Sequence, residues 1–211
     1  MTRLPDVHLS FTIPLLQVPI EEDTSELLAH DNFSISTLEF KDNSDEVDPR
    51  AINDNRVLER YPKSKKLFTD LFNNITKNRL GIENKFTIST SWMTETKPEG
   101  KCQIHNHKNC YFSGVYYYEE KYDKDVGPLE LYNPLEDLSS YALNYSEINP
   151  FTAGSIKIFP KPKLLVLFPS FLKHAIQTHK GKNVRKSLAF NFVPADDYGF
   201  QDSSYNHSWI P

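Results

Sequence analysis

The stretch Leu164-Leu165-Val166-Leu167-Phe168-Pro169-Ser170-Phe171-Leu172-Lys173-His174 carries the strongest indication of the fold of this chain. It begins with a short apolar run, which is typical of a buried strand, and it continues through a rigid Phe-Pro-Ser turn. His174 follows that turn and opens a second strand candidate that reaches Thr178. We therefore expect the turn to hold the His174 ring firmly.

Strand candidates also lie on both sides of this stretch, rich in aromatic and β-branched residues and separated by Gly, Pro, Asp or Asn. They are Ser10–Val18, Phe33–Phe40, Phe86–Thr96, Tyr111–Glu119, Leu129–Tyr132, Ser155–Phe159, Leu164–Phe168, His174–Thr178 and Arg185–Val193. Alternation in the third candidate predicts that one face carries Phe86, Ile88, Thr90 and Trp92. Short strands without intervening helices predict a mainly β fold, a sandwich or jelly roll.

One helix is expected to flank this β region. It begins near Pro62 and should end at Gly81, a residue that commonly caps helix C-termini. Its apolar side chains recur at the spacing of one helical face, and they are Leu67, Phe68, Leu71, Phe72 and Ile75. We expect this face to pack on the outside of the sheet.

Length and charge restrict the function. The 211 residues fit a single domain (1–211) with a core at about 86–194. A net charge of -4 argues against nucleic acid binding, and no apolar run reaches the roughly 20 residues that span a membrane.

Leu9–Ile20 is mildly apolar but interrupted by prolines, so we interpret it as an early strand rather than a secretion signal. Two cysteines suit a reducing compartment, and we expect a cytoplasmic protein.

A metal site is predicted by three histidines of the β region. In a strand, alternate residues face the same side, so His105 and His107 should project together. His174, from a distant strand, would complete one face of an octahedron and leave three positions open for other ligands. His105, His107 and His174 are therefore the candidate catalytic metal ligands.

A carboxylate site is predicted near the end of the chain. Arg185 opens the last strand candidate, and a guanidinium there can bind a carboxylate through two parallel hydrogen bonds. Ser187 has the same strand phase and could add a third hydrogen bond. The alternative, taking Arg185 alone, is a surface ion-pair partner.

These motifs resemble those of the 2-oxoglutarate/Fe(II) oxygenases of the prolyl hydroxylase-like group. They also resemble a bacterial and phage subfamily. This similarity is carried by the His-x-His pair, the Ser113–Tyr117 segment, the Phe-Pro-Ser turn before His174 and the Arg-x-Ser motif before Asn191. The similarity extends from about Ser91 to Pro194.

The resemblance implies a double-stranded β-helix with Fe(II) at its mouth. It also implies 2-oxoglutarate as the co-substrate, with its distal carboxylate bound by Arg185 and supported by Tyr117. Dioxygen is the second partner, and the expected reaction is a hydroxylation coupled to decarboxylation of 2-oxoglutarate. The oxidised substrate, a peptide (by analogy a peptidyl proline) or a small molecule, is not specified by the sequence.

One position departs from the family pattern. The wider family has His-x-Asp, and His107 stands here in place of the Asp. Three neutral histidines would leave the charge of Fe(II) to be balanced by the co-substrate. A shifted register, with His107 and Asn109 as the pair, stays open.

Three alternative interpretations also stay open. One is a three-histidine, cupin-like dioxygenase or isomerase that does not use 2-oxoglutarate. Another is a non-catalytic, metal-binding β-barrel. The third, a closed zinc site of Cys102, His105, His107 and Cys110, is disfavoured because Cys102 has the opposite strand phase and His174 would be unexplained.

The remaining candidates have simpler interpretations. We expect His179 to face solvent beyond the end of its strand, and we assign no role to His8, His30 or His207. Trp92, Tyr116 and Tyr118 are interpreted as core or wall residues. The oligomeric state is open, with a homodimer among the options.

Overall fold

The structure, a computed structural model, describes residues 12–30, 34–35, 55–135 and 143–206. The helix α1 spans Pro62–Ile75 and continues into a π-helical turn, Thr76–Leu80. The strands are β1 (Leu16–Pro19), β2 (Ser34–Ile35), β3 (Phe86–Thr96), β4 (Cys102–His105), β5 (Phe112–Tyr117), β6 (Leu129–Tyr132), β7 (Ser155–Ile158), β8 (Leu164–Pro169), β9 (His174–Ile176) and β10 (Arg185–Pro194). Short 3-10 turns occur at Ser25–Ala29, Val57–Arg60 and Gln201–Ser203.

The strands form two sheets of a jelly roll, as predicted. The larger sheet has the order β1-β8-β5-β10-β3-β2, and the smaller has the order β4-β9-β6-β7. All pairs are antiparallel except β2 with β3. The chain crosses repeatedly between the two sheets. For example, β8 lies in the larger sheet and β9 in the smaller, and only the turn after Pro169 separates them.

The helix packs on the outer face of the larger sheet, as its apolar face predicted. Phe68 stacks on Phe190 with ring centroids 5.1 Å apart, and Phe72 stacks on Phe192 at 4.0 Å. The helical segment ends at Gly81, whose φ of 68° is the left-handed conformation that glycine adopts without strain. Four stacked aromatic rings thus fix the helix against the sheet.

A second apolar cluster fills the space between the two sheets. Its buried members are Tyr117, Leu129, Leu131, Ile158, Leu164, Val166, Phe168 and Leu172. These side chains come from β5 and β8 of the larger sheet, from β6 and β7 of the smaller sheet, and from the turn before β9. The polar residues of β3 and β10 continue the same inner face beside this cluster.

The prediction that Phe86, Ile88, Thr90 and Trp92 share one face of β3 is wrong beyond Ile88. Register with β10 shifts there, since Thr90 pairs with Asn191 but Ile88 pairs with Phe192. Ser89 is therefore the extra residue of a β-bulge, which moves the following residues to the opposite face. Phe86 and Ile88 face the helix, whereas Thr90 and Trp92 face the interior of the roll.

Several strand bounds also differ from prediction. β1 begins only at Leu16, and most of the predicted strand Phe33–Phe40 lies outside the described residues, apart from β2. The strand β4 ends at His105, so His107 is not part of it.

Within the described part of the chain, no helix has the length and apolar character that crossing a membrane requires.

Candidate metal and co-substrate site

Three histidines meet at the open end of the roll. The potential ligand atoms of His105, His107 and His174 all lie within 4.8 Å of one another. His105 ends β4 and pairs directly with His174, the first residue of β9. Neighbouring strands of the smaller sheet thus bring together two rings that are far apart in sequence.

His107 reaches the cluster by a different route from the one predicted. Strand alternation does not place it, because β4 has already ended at His105. Instead, the backbone N–H of His107 donates to the carbonyl of Ser170, 3.0 Å away, in the Phe-Pro-Ser turn. This contact between two loops turns the His107 ring toward His174, with ring centroids 5.1 Å apart.

Hydrogen bonds fix the tautomers of two of these rings. The Nδ1 of His105 lies 2.8 Å from the carbonyl of Gln103, and the Nδ1 of His174 lies 2.9 Å from that of Leu172. A carbonyl only accepts, so each Nδ1 carries the proton and each Nε2 keeps its lone pair. Metal-binding histidines usually have this arrangement, in which the second nitrogen donates to a carbonyl or carboxylate.

The third ring is oriented by an amide. Asn191 Oδ1 lies 2.8 Å from His107 Nδ1 and accepts a second hydrogen bond from the Ser113 hydroxyl. Its Nδ2 donates to Thr90 Oγ1 at 3.0 Å, which fixes the orientation of the amide. Because Oδ1 is the acceptor, His107 Nδ1 carries the proton and its Nε2 is available as a ligand. This role of Asn191 could have been found from the alternation that puts it on the face of Arg185 and Ser187.

Burial lowers the pKa of two of these histidines. His174 is buried, and desolvation together with the neighbouring His105 lowers its pKa to about 3. Desolvation also lowers the pKa of His107, although its hydrogen bond to Asn191 opposes this effect. A metal binds only the unprotonated nitrogen, so the cluster is ready to bind a cation at neutral pH.

The guanidinium of Arg185 lies deep in the roll, with 1% of the residue exposed. Its Nε donates to the Gly127 carbonyl at 3.1 Å, Nη1 donates to Ser187 Oγ at 3.3 Å, and Nη2 donates to Tyr117 Oη at 3.2 Å. Among the described residues, no carboxylate forms an ion pair with it. The surface ion-pair interpretation of Arg185 is therefore wrong, and its charge is buried without a described counter-ion.

Tyr117 is fully buried beside this guanidinium, which lies 5.2 Å from the centre of the phenol ring. Burial raises the pKa of Tyr117 although Arg185 opposes the change. The phenol therefore stays protonated, and it can donate its hydrogen while accepting from Arg185. The three residues predicted to bind the co-substrate, Arg185, Ser187 and Tyr117, are thus in contact.

His179 is buried, with 1% exposed, so its predicted solvent-facing position is wrong. Its Nδ1 accepts from the Gly127 N–H at 3.2 Å, and its Nε2 donates to the Asn183 carbonyl at 2.6 Å. Gly127 passes so close to the Gln177 carbonyl that no side chain fits there. His179 therefore holds Gly127, the residue whose carbonyl orients Arg185, a role that no local pattern indicates.

The cysteines do not join the histidine cluster. Cys102 Sγ lies 3.8 Å from His105 Nδ1, the nitrogen that donates to Gln103, and Cys110 Sγ donates to the Lys108 carbonyl. The metal-binding group found among the described residues contains histidines alone. This geometry argues against the closed zinc site.

The surroundings of the cluster are partly apolar. His105 and the side chains of Ile104 and Phe171 are exposed, whereas His174 is buried. A cavity of about 420 Å³ borders His107 and is lined by Phe171, Tyr111, Lys108 and Ile13, among others.

The predicted core or wall residues are confirmed, since Tyr116 and Tyr118 are buried and Trp92 packs against His107. His30 is also buried, 3.0 Å from Tyr61 Oη, and His8 and His207 lie outside the described residues.

Residues 90–191 match the model of a protein family described as "Putative 2OG-Fe(II) oxygenase". This segment contains the histidine cluster, Arg185, Ser187 and Tyr117. This segment is therefore similar to a family of 2-oxoglutarate- and Fe(II)-dependent oxygenases. No curated protein matches the chain significantly.

The chain is also similar to several solved structures. The chain is similar to EvdMO1, with a TM-score of 0.54, 10% identity, and coverage of 87% of this chain and 48% of that one. A Pseudomonas putida prolyl-4-hydroxylase gives a TM-score of 0.46 at 17% identity, covering 64% and 66%. A Burkholderia pseudomallei oxidoreductase of the 2OG-Fe(II) oxygenase family gives 0.43 at 14%, covering 59% and 50%. The matched regions thus span about half to two thirds of these solved chains.

Proposed function

We propose that this protein is an Fe(II)- and 2-oxoglutarate-dependent oxygenase whose metal is held by His105, His107 and His174. The observation that carries the proposal is the pairing of two features on one inner surface. One is a cluster of three histidines, each with its Nε2 available. The other is the buried guanidinium of Arg185, which lacks a described carboxylate.

The donor set fits iron. Imidazole nitrogen is a good ligand for Fe(II), and three imidazole rings meeting at one point leave other coordination positions open. A bound Fe(II) supplies the activation of dioxygen, coupled to oxidative decarboxylation of 2-oxoglutarate. Zinc and copper also accept imidazole, and metal analysis of the purified protein distinguishes them from iron.

Charge explains how this site can differ from the usual His-x-Asp arrangement. The described cluster offers no carboxylate, so the protein ligands leave the two positive charges of the metal unbalanced. The keto acid end of 2-oxoglutarate brings one negative charge to the metal, and its distal carboxylate would be paired with Arg185. We infer that this site depends more strongly on its co-substrate for charge balance than one with an Asp ligand.

The protein's remaining contribution is positioning and exclusion of water. Arg185 would bind the distal carboxylate, supported by Tyr117 and Ser187, and the apolar cluster behind Tyr117 keeps this end of the pocket dry. A charge-assisted hydrogen bond in a dry pocket is stronger than the same bond in water. The oxidised substrate would bind at the mouth, where Ile104 and Phe171 are exposed beside the cluster. A peptide or an uncharged small molecule suits this apolar rim.

An anaerobic titration tests the proposal. Fe(II) and then 2-oxoglutarate are added to the full chain, and the visible absorption band of the iron–keto acid chelate is followed. We expect saturation at one Fe(II) and one 2-oxoglutarate per chain. Binding of Fe(II) without any response to 2-oxoglutarate would instead support the cupin-like alternative, and a site that does not bind Fe(II) would support the non-catalytic β-barrel module.

A further inference from the structure

Thr96, the last residue of β3, carries an unpaired hydroxyl in the interior. The residue is 0% exposed, and its Oγ1 has no hydrogen-bond partner among the described residues. Buried hydroxyls almost always have a partner, because losing water without replacement is unfavourable. Such a group therefore needs an explanation, and a missing ligand is one.

The position of Thr96 suggests which ligand is missing. Thr96 pairs with Arg185 across the antiparallel strands β3 and β10, so the two side chains stand on the same face of the sheet. Arg185 is the buried cation without a described carboxylate. An unpaired hydroxyl donor and an unneutralised guanidinium are therefore direct neighbours in the sheet.

The other threonines on this face provide a contrast. Thr90 accepts a hydrogen bond from Asn191, and Thr94 Oγ1 lies 2.6 Å from Ser187 Oγ. Only Thr96, among these three, is without a partner in the described structure. The lack of a partner is thus specific to the position opposite Arg185 and is not a general property of the strand.

The hydroxyl of Ser187 already has partners in the structure. Thr94 Oγ1 lies 3.2 Å from the Ser187 carbonyl and 2.6 Å from Ser187 Oγ. Ser187 Oγ also accepts from Arg185. Ser187 therefore holds the guanidinium in place, whereas the hydrogen of Thr96 is free for another acceptor.

We infer that Thr96 Oγ1 donates a hydrogen bond to the carboxylate that Arg185 binds. This inference rests on the proposed function, with that carboxylate being the distal one of 2-oxoglutarate. A carboxylate has about four acceptor positions, so it can accept from Arg185, Tyr117 and Thr96 together. Thr96 is thereby a binding residue that selects for a terminal carboxylate.

The test uses Thr96→Val, which removes the hydroxyl and keeps the shape of the side chain. Without ligand, the urea midpoint of unfolding should rise or stay the same, because an unpaired buried hydroxyl has been removed. With Fe(II) bound anaerobically, the 2-oxoglutarate Kd should increase about tenfold to a hundredfold, as expected for a lost hydrogen bond to a charged group. Thr96→Ser should restore the affinity.

Thr94→Val is the matched control on the same strand face. It removes a hydroxyl that is paired in the structure, so it should lower the urea midpoint. A lower midpoint in Thr96→Val with an unchanged 2-oxoglutarate Kd would show that the Thr96 hydroxyl is structural and would overturn the inference alone. If the wild-type Fe(II) protein binds no 2-oxoglutarate at all, the proposed function fails together with the inference.

Discussion

The Nδ1 of His107 lies 2.8 Å from Oδ1 of Asn191, two residues that are 84 positions apart in sequence. The same oxygen accepts from Ser113, and the amide nitrogen is held by Thr90. His107 stands outside any strand, so this bond orients its ring while the backbone contact to Ser170 positions the residue. The residue that departs from the family pattern thus depends on an amide of β10 for its orientation.

Asn191→Ala should therefore weaken metal binding although Asn191 is not a ligand. Loss of a partner that orients a ligating histidine typically reduces metal affinity by about 10- to 100-fold. Asn191→Asp keeps an acceptor facing His107 Nδ1 and should retain most of the affinity. Anaerobic Fe(II) isotherms on the three proteins provide the comparison. Equal affinities in Asn191→Ala and wild type would show that the bond does not orient a ligand.

His107→Asp introduces the carboxylate of the wider family. Asp is a competent Fe(II) ligand, so we expect one Fe(II) per chain still to bind. His174→Ala, which removes the buried ligand, should lose the metal. Iron content after desalting of folded protein, checked by circular dichroism, measures both. A folded His107→Asp protein without any iron would contradict the assignment of His107 to this ligand position.

Acid should destabilise the metal-free protein before most carboxylates titrate. The pKa of His174 is about 3 in the folded protein and about 6.5 in an unfolded chain. Between these values the unfolded state binds more protons, so the free energy of unfolding increases with pH and falls on acidification. The full slope for one such histidine is about 1.4 kcal/mol per pH unit.

The measurement is the free energy of unfolding in urea between pH 7 and 5, with a chelator present. His174→Leu should show a smaller decrease over this range than wild type, because the titrating group is gone. His107 also has a lowered pKa and will leave part of the slope in that variant. Identical pH profiles for the two proteins would mean that His174 is not buried in its neutral form.

Local sequence patterns predicted the elements but not their irregularities. Alternation and turn residues placed Phe86–Thr96 and Leu129–Tyr132 at the bounds that the structure has. They could not predict the bulge at Ser89, because an extra residue in one strand depends on the partner strand. They therefore put Thr90 and Trp92 on the wrong face.

The site was predictable as a set of residues, but its support was not. The spacing of His105, His107 and His174 and the Arg-x-Ser motif pointed to side chains that the structure brings together. Strand alternation correctly grouped His107 with His105, but for the wrong reason. His107 lies outside the strand, and a loop contact to Ser170 places it. His179 looked exposed because its burial depends on a long-range contact with Gly127.

Arg185 provides the most direct test of the central claim, that a buried guanidinium binds the far end of 2-oxoglutarate while three histidines hold Fe(II). Two anaerobic isotherms are needed, Fe(II) alone and 2-oxoglutarate on the Fe(II) form, for wild type, Arg185→Ala and Arg185→Lys. Truncation to Ala should weaken 2-oxoglutarate binding by about 2–5 kcal/mol, or roughly thirtyfold to several thousandfold, and leave Fe(II) affinity nearly unchanged. Lys should recover only part of the affinity, because an ammonium lacks the paired donors of a guanidinium. Equal 2-oxoglutarate affinity in all three proteins would contradict the account.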